Sequence, residues 1–298
     1  MHPHRFLITG KTGQLGHVLQ TYLAPLGQVI ALGREALDLS QPRQIAAVIA
    51  EIRPTWIINP AAYTAVDKAE SERALVYAIN ADALGALAQA AKQCGAGIVH
   101  YSTDYVFDGA HHTPYTETDT PQPLNVYGAS KLAGEQQLAE SGVPHLILRT
   151  SWVYGAYGNN FVKTLQRLLT TRADVSVVAD QIGAPTSSTA LAELTARLLL
   201  EIGLPQQLQD RQGVYHATCQ GQTSWFGLAS AIRTALAVDP TRTLATLHAI
   251  PSADYPTPAQ RSAYSVLDNH KLHATFGMQL PDWATAFAAE WARFDVMG

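Results

Sequence analysis

Along the first half of the chain, short runs of β-branched and aliphatic residues alternate with longer stretches whose apolar positions recur every three or four residues. Residues 5–9 predict a strand and 14–23 an amphipathic helix; 28–32 and 41–52 repeat the pair. Residues 56–59 predict a third strand, 71–94 a long alanine-rich helix and 97–102 a fourth strand. A polar loop over 113–123 then leads to a helix carrying Tyr127 and a strand over 145–150. Such alternation predicts an α/β fold, a doubly wound parallel sheet with right-handed crossovers and helices on both faces. Ligands of such sheets lie beyond the carboxyl ends of the strands.

After about residue 151 the rhythm breaks. Residues 154–160 and 180–186 are loops rich in Gly, Asn and Pro, 187–202 predicts a helix, 213–219 a short strand and 224–238 another helix. The proline-dotted stretch 251–258 predicts a loop. A smaller C-terminal substrate domain is expected to cap the sheet. The dinucleotide-binding domain would span 1–152, completed by elements near 187–217, and the substrate-binding domain 153–186 with 218–298.

Composition narrows the partners. A charged content of 15% against 47% hydrophobic residues describes a globular chain with a sizeable core, not a disordered one. The net charge of −4 gives no reason to expect nucleic acid or an acidic membrane surface as partner. No uninterrupted apolar run of membrane-spanning length is visible, and the opening residues lead directly into a strand, so neither a membrane span nor a signal peptide is expected. Cys94 and Cys219 make neither a disulfide framework nor a zinc motif, which fits a reducing, cytoplasmic location.

Two features carry chemistry. Gly10, Gly13 and Gly16, with Gln14 and Leu15 among them, follow a predicted strand and open a helix. There a glycine pattern becomes a dinucleotide site: a tight turn, close backbone approach to a pyrophosphate, and free N–H groups at a helix start. The second strand ends without the acid that would hydrogen-bond an NAD ribose. Arg34 stands there instead and suits a 2′-phosphate, so NADPH is the expected cofactor, with NADH possible. Asp38 and Leu39 are placed to flank the adenine.

The second feature is Tyr127 and Lys131, four residues apart and so one turn apart on one helix face. An ammonium beside a phenol lowers its pKa and makes it a general acid or base near neutral pH. Thr103 closes the fourth strand and completes a hydroxyl–phenol–ammonium set. Together these imply hydride transfer in which Tyr127 protonates a ketone oxygen, Lys131 holds the nicotinamide ribose and Thr103 orients the carbonyl. No metal is expected: His270 and His273 lack a further ligand, His111 and His112 lie in a polar loop, and Asp104, Glu117 and Asp119 form no convincing cluster.

With these motifs, and with the longer stretches at 59–70, 101–109, 123–128, 149–155, 180–186 and 261–268, the chain resembles the extended short-chain dehydrogenase/reductase family. It is similar there to reductases of dTDP-linked 4-keto sugars. The resemblance implies reduction of the C4 ketone of dTDP-4-dehydro-β-L-rhamnose to dTDP-β-L-rhamnose. It also implies Ala61, Ala62, Tyr63 and Tyr101 as cofactor neighbours and Asn80 as support from the long helix. Val66, Thr103, Asp104, Tyr105 and Trp152 would line the sugar pocket, with Arg261 approaching the diphosphate of the nucleotide-sugar substrate. Ser262 stands where relatives carry proline. Val18 stands where some relatives carry a magnesium-binding acid at a dimer interface, so a monomer or weak homodimer is expected. Rival readings are a reductase or epimerase of another nucleotide sugar, or a non-catalytic dinucleotide-binding regulatory subunit. A dehydratase is disfavoured, because Tyr105 rather than glutamate follows Thr103 and Asp104.

Overall fold

The computed structural model describes residues 4–295. The first half runs β1 (His4–Thr9), α1 (Gln14–Leu23), β2 (Gly27–Leu32), α2 (Pro42–Ile52) and β3 (Trp56–Asn59). It continues with α3 (Val66–Ala69), α4 (Arg73–Tyr77), a π-helical segment (Ala78–Asp82) and α5 (Ala83–Cys94). Next come β4 (Gly97–Thr103), α6 (Val126–Glu140) and β5 (His145–Thr150). The expectation about the opening residues rested partly on residues 1–3, which lie outside the described residues.

Alternation within each strand explains the sheet. Phe6 and Ile8, Trp56 and Ile58, Val99 and Tyr101, and Leu146 and Leu148 pack on one face against Leu15, Leu19 and Leu23 of α1. Leu7, Ile57, Ile98 and Ile147 pack on the other face against Ile45 and Ile49 of α2 and Leu84 and Leu87 of α5. Both faces are apolar, as a parallel sheet clothed in helices requires.

The second half runs β6 (Val153–Tyr154), α7 (Phe161–Thr171), β7 (Asp174–Val178), β8 (Ile182–Gly183), β9 (Thr186–Ser187) and α8 (Ser188–Ile202). It ends with β10 (Gly213–His216), β11 (Thr223–Ser224), α9 (Trp225–Leu236), β12 (Thr246–Ile250), α10 (His270–Phe276) and α11 (Trp283–Asp295). β10 joins the main sheet, giving six parallel strands in the order β10-β5-β4-β3-β1-β2. The chain crosses from β2 past β1 to β3, so the order reverses between β1 and β3, the crevice where ligands of such sheets bind. A third core gathers Val162, Leu165 and Leu169 of α7, Leu228 and Ile232 of α9, and Phe287 of α11 around β7. It lies in the region between 153 and 295 that the sequence set apart from the strand–helix rhythm.

One helical run bears on the expectation about membrane spans. The helical run Arg73–Cys94 is 22 residues long and contains an 18-residue window with a mean hydropathy of 1.2, long and apolar enough by composition to cross a membrane. Its apolar residues are spent elsewhere: Val76, Leu84, Leu87, Ala88 and Ala91 are buried in the protein's own core. The run also bends through the π segment and is no single regular helix.

Candidate active site

The turn after β1 is shaped by what a side chain would meet. Gly10 takes φ +63°, a left-handed conformation that favours glycine. A Cβ on Gly16 would lie 2.1 Å from the Gly10 carbonyl oxygen, so only glycine lets α1 start this close to β1. No side chain caps the start of α1 at Gly13, which leaves the first N–H groups and the positive dipole end facing outward. The turn thus fits the pyrophosphate of a dinucleotide.

The catalytic helix is positioned as tightly. Asn125 caps α6 by accepting the Gly128 N–H at 2.8 Å, and the Val126 N–H donates to Glu70 at 2.9 Å. A Cβ on Gly128 would lie 2.1 Å from the Tyr105 carbonyl oxygen. Glycine there lets α6 abut the end of β4, which brings Tyr127 beside Thr103 and Tyr105. The Tyr105 and Tyr127 rings meet edge to face at 5.5 Å. Burial of its hydroxyl end pushes the Tyr127 phenol above its ordinary value, while hydrogen bonding from Thr103 pulls the other way.

Lys131 has a different first engagement from the one expected. Its Nζ donates to the Tyr101 carbonyl oxygen at 2.7 Å and lies 2.9 Å from His100 Nε2, not on the phenol. His100 Nδ1 in turn meets the Asn59 amide at 3.0 Å, and Thr9 donates to Asn59 Oδ1 at 2.6 Å. Lys131 is 1% exposed, and this desolvation lowers its pKa to about 7; the charge of Glu135 opposes the shift. Its titration therefore falls in the physiological range, although it does not lower the phenol in this arrangement. Asp104, 2% exposed, is pushed up to about 6 by burial against opposing hydrogen bonds from Ser265 and Thr103.

A cavity of about 670 Å³ joins these parts. Gly10, Gly13, Gln14, Leu15, Gly16, Ala61, Ala62 and Tyr101 line it together with Thr103, Tyr127 and Lys131. Val66, Asp104, Tyr105 and Trp152 line it as well. Five expected residues, Arg34, Asp38, Leu39, Tyr63 and Arg261, do not. Arg34 is an exposed side chain 3.7 Å from Asp38, whose carboxylate also binds Ser40. Leu39 is buried in the core beside α2. The Tyr63 backbone is clamped by Asn80, through Oδ1 at 2.8 Å and Nδ2 at 3.2 Å, while its phenol turns outward to Glu72. Arg261 forms a forked pair with Asp67 at 2.9 and 3.0 Å. Val18 is buried against the sheet. Among the described residues no group of three or more His, Cys, Asp or Glu side chains could hold a metal ion.

The structure adds residues the sequence did not point to. Gly158 and Asn159, from the loop after β6, and Trp225, at the start of α9, line the same cavity. His100 underlies Lys131, and Lys11 pairs with Glu35 beside the end of β2. Lys11 lies within the glycine turn but not among its spaced glycines; the others belong to no spaced motif, and only the topology brings them in. Trp152 carries φ +47°, which costs a bulky residue about 1–2 kcal/mol and marks a constrained site.

Comparison with known proteins agrees with this geometry. The family model described as "RmlD substrate binding domain" matches residues 4–295. A dTDP-4-dehydrorhamnose reductase of Burkholderia thailandensis is 45% identical over 291 residues, covering 95% of this chain and 96% of that protein. One from Escherichia coli K12 is 45% identical over 93% of each chain. The crystal structure of the Bacillus anthracis dTDP-4-dehydrorhamnose reductase in complex with NADP superposes with a TM-score of 0.89, at 38% identity, over 97% of this chain and 99% of that one. The chain belongs to the dTDP-4-dehydrorhamnose reductase family.

Proposed function

We propose that the protein reduces the C4 ketone of dTDP-4-dehydro-β-L-rhamnose to dTDP-β-L-rhamnose, with NADPH preferred over NADH. The observation that carries this reading is the single cavity in which the glycine turn and the Thr103, Tyr127 and Lys131 side chains meet. The relatives' shared name and the NADP bound to the Bacillus anthracis structure supply the substrate and cofactor. When bound, the reduced nicotinamide supplies the hydride that forms the new C–H bond at C4. Tyr127 gives its phenolic proton to the carbonyl oxygen as the C=O π bond breaks. Thr103, within hydrogen-bonding influence of that phenol, orients the carbonyl. Lys131, released from one of its two buried partners, holds the ribose and supports the phenolate by charge. Arg34, exposed at the end of β2, reaches the adenosine 2′-phosphate, with Lys11 close by through Glu35.

The proposed division of labour gives cofactor to residues 1–152 with 187–217, and substrate to 153–186 with 218–298. Support comes from the cavity walls, since Gly158, Asn159 and Trp225 all arise in the second set. A cytoplasmic location is supported by the free thiols of Cys94 and Cys219. The regulatory-subunit reading loses ground because the tyrosine, lysine and threonine are all present around one cavity.

The test is absorbance at 340 nm with NADPH or NADH and enzymatically made 4-keto sugar nucleotide. Turnover yielding dTDP-rhamnose is expected. Tyr127→Phe should lose about 10²–10⁴-fold in kcat while its NADPH affinity stays unchanged. A Tyr127→Phe enzyme with full activity would remove the assigned proton donor.

A further inference from the structure

We propose that His100 is a positioning residue for the reduction: with Asn59 and Thr9 behind it, it docks Lys131 as a neutral amine, which takes up a proton from solvent on turning to the bound cofactor. The inference rests on the dinucleotide reading of the cavity and is independent of which sugar is reduced.

The directions of a chain of buried hydrogen bonds fix the protons. Thr9 of β1, Asn59 of β3, His100 of β4 and Lys131 of α6 are each no more than 3% exposed, and Asn59 and His100 are paired residues of adjacent strands. The Thr9 hydroxyl accepts the Ala61 N–H at 3.3 Å and donates to Asn59 Oδ1 at 2.6 Å. The Asn59 amide nitrogen therefore faces His100 Nδ1, at 3.0 Å, and can only donate to it. The opposite amide orientation would leave the buried Thr9 hydrogen with no acceptor among the described residues. With Nδ1 accepting, the single proton of a neutral imidazole sits on Nε2, and that N–H points at Lys131 Nζ, 2.9 Å away. An ammonium has no lone pair to receive it. An amine has one, and still donates to the Tyr101 carbonyl oxygen at 2.7 Å.

Burial favours the same protonation states. It holds His100 well below its ordinary basicity, with the Lys131 charge adding to the effect, and it lowers Lys131 to about 7. Glu135, one turn further along α6, favours the ammonium, but its carboxylate is already bound to Arg149 of β5 at 2.7 Å. Tyr127, Tyr101, Tyr105 and Asp104 share the cavity with the lysine. Burial keeps the three phenols neutral, and Asp104, at about 6, titrates below the lysine. Once Lys131 turns to the ribose, sugar hydroxyls offer it lone pairs in place of the His100 N–H, and the ammonium becomes the favoured form. Docked, the lysine leaves no unpaired charge in the core; recruited, it brings the charge that supports the phenolate.

The experiment titrates the full chain with NADH, which lacks the titratable 2′-phosphate of NADPH, by calorimetry in buffers of different ionisation enthalpy. Wild type should take up about one proton per NADH at pH 8, and its Kd should weaken about tenfold from pH 8 to pH 9. Lys131→Met should bind without uptake. His100→Gln offers a carbonyl oxygen to the ammonium, so uptake should fall to roughly a third or less and the Kd should become nearly flat over the same range. Nitrogen NMR spectra of the histidine side chains read the tautomer in wild type itself, so they decide the matter even where His100→Gln does not fold. At pH 8 without cofactor, His100 should carry its proton on Nε2. Uptake that is absent in wild type, or undiminished in Lys131→Met or His100→Gln, overturns the proposal and leaves the reductase reading standing, as does a His100 proton found on Nδ1. Wild type that binds neither NADH nor NADPH overturns that reading as well.

Discussion

Asp104 lies between Thr103, which donates to its carboxylate at 3.1 Å, and Tyr105, whose ring touches Tyr127. A carboxyl ordinarily near 4 is held at about 6 here because burial disfavours the anion more than Thr103 and Ser265 favour it. The sign follows from proton counting. Between about pH 4 and 6 the native state binds more protons at this site than the unfolded chain, so stability falls as pH rises through that window and stays lowered above it. A rise of that size corresponds to about 3 kcal/mol. Asp104→Asn keeps the shape and the acceptor but removes the titration. Its urea-unfolding free energy, compared with wild type at each pH, should gain about 1–3 kcal/mol by pH 8 and nothing near pH 4. A difference that stays flat across that range would mean the carboxylate is better solvated than its burial indicates. The same charge raises Tyr127, so at this scale the site carries a stability cost beside its proton donor.

At the scale of elements, the π segment Ala78–Asp82 does most to join cofactor and catalytic regions. One extra residue in the helical turn re-aims Asn80, whose amide binds both backbone groups of Tyr63 and, at 3.0 Å, the Ser130 hydroxyl on α6. α6 approaches this bulge through Gly134, where a Cβ would lie 2.2 Å from the Asn80 carbonyl oxygen. Gly134→Ala must push the helix away; a loss of about 1–3 kcal/mol is expected in urea unfolding, together with weaker NADPH binding. Unaltered stability would mean the bulge yields instead. Residues 71–94 predicted one helix because alanine-rich sequence satisfies α and π turns alike, and only packing against α6 selects the bulge. The main sheet was legible because its central strands bury both faces, as Phe6, Leu7 and Ile8 show. α7 had a readable stripe in Phe161, Val162, Leu165 and Leu169, hidden by the glycine- and asparagine-rich loop before it. The pairing of β7 with β12 joins strands whose first residues, Asp174 and Thr246, stand far apart in sequence, and no local pattern encodes that. Of the candidate site, the glycine turn and the Thr103, Tyr127 and Lys131 set were legible from spacing and context. His100 and Trp225 were not, because a lone aromatic residue says nothing of its neighbours.

At the scale of the molecule, the cavity depends on contacts that fasten the two sets of elements together. His17 of α1 stacks on Tyr157 at 3.7 Å, and Gly158 packs against Gln14. On the other flank the 259–261 stretch is strapped down by three contacts. Asn125, the cap of α6, donates to the Gln260 carbonyl oxygen at 2.8 Å; the Ala259 N–H donates to Asp67; and the Arg261 guanidinium forks onto the same carboxylate. The guanidinium holds the Asp67 carboxyl below the usual carboxylate range against some desolvation. Asp67 remains 42% exposed, so solvent screens the pair and its worth to folding should stay within about 1 kcal/mol. A larger effect on binding is proposed: Arg261 does not itself line the cavity but engages Tyr105, which does, so the strap would set where a guanidinium suited to phosphate stands. Arg261→Ala should therefore change urea-unfolding stability by less than about 1 kcal/mol yet raise the KM for the nucleotide sugar about tenfold or more, with kcat nearly unchanged. Asp67→Ala should raise KM too, by releasing the stretch, and the double variant should cost less than the two single losses combined, since each removes the same arrangement. Fully additive losses would separate the two residues, and an unfolding penalty of several kcal/mol with unchanged KM would make the pair a brace for the fold with no part in gripping the diphosphate.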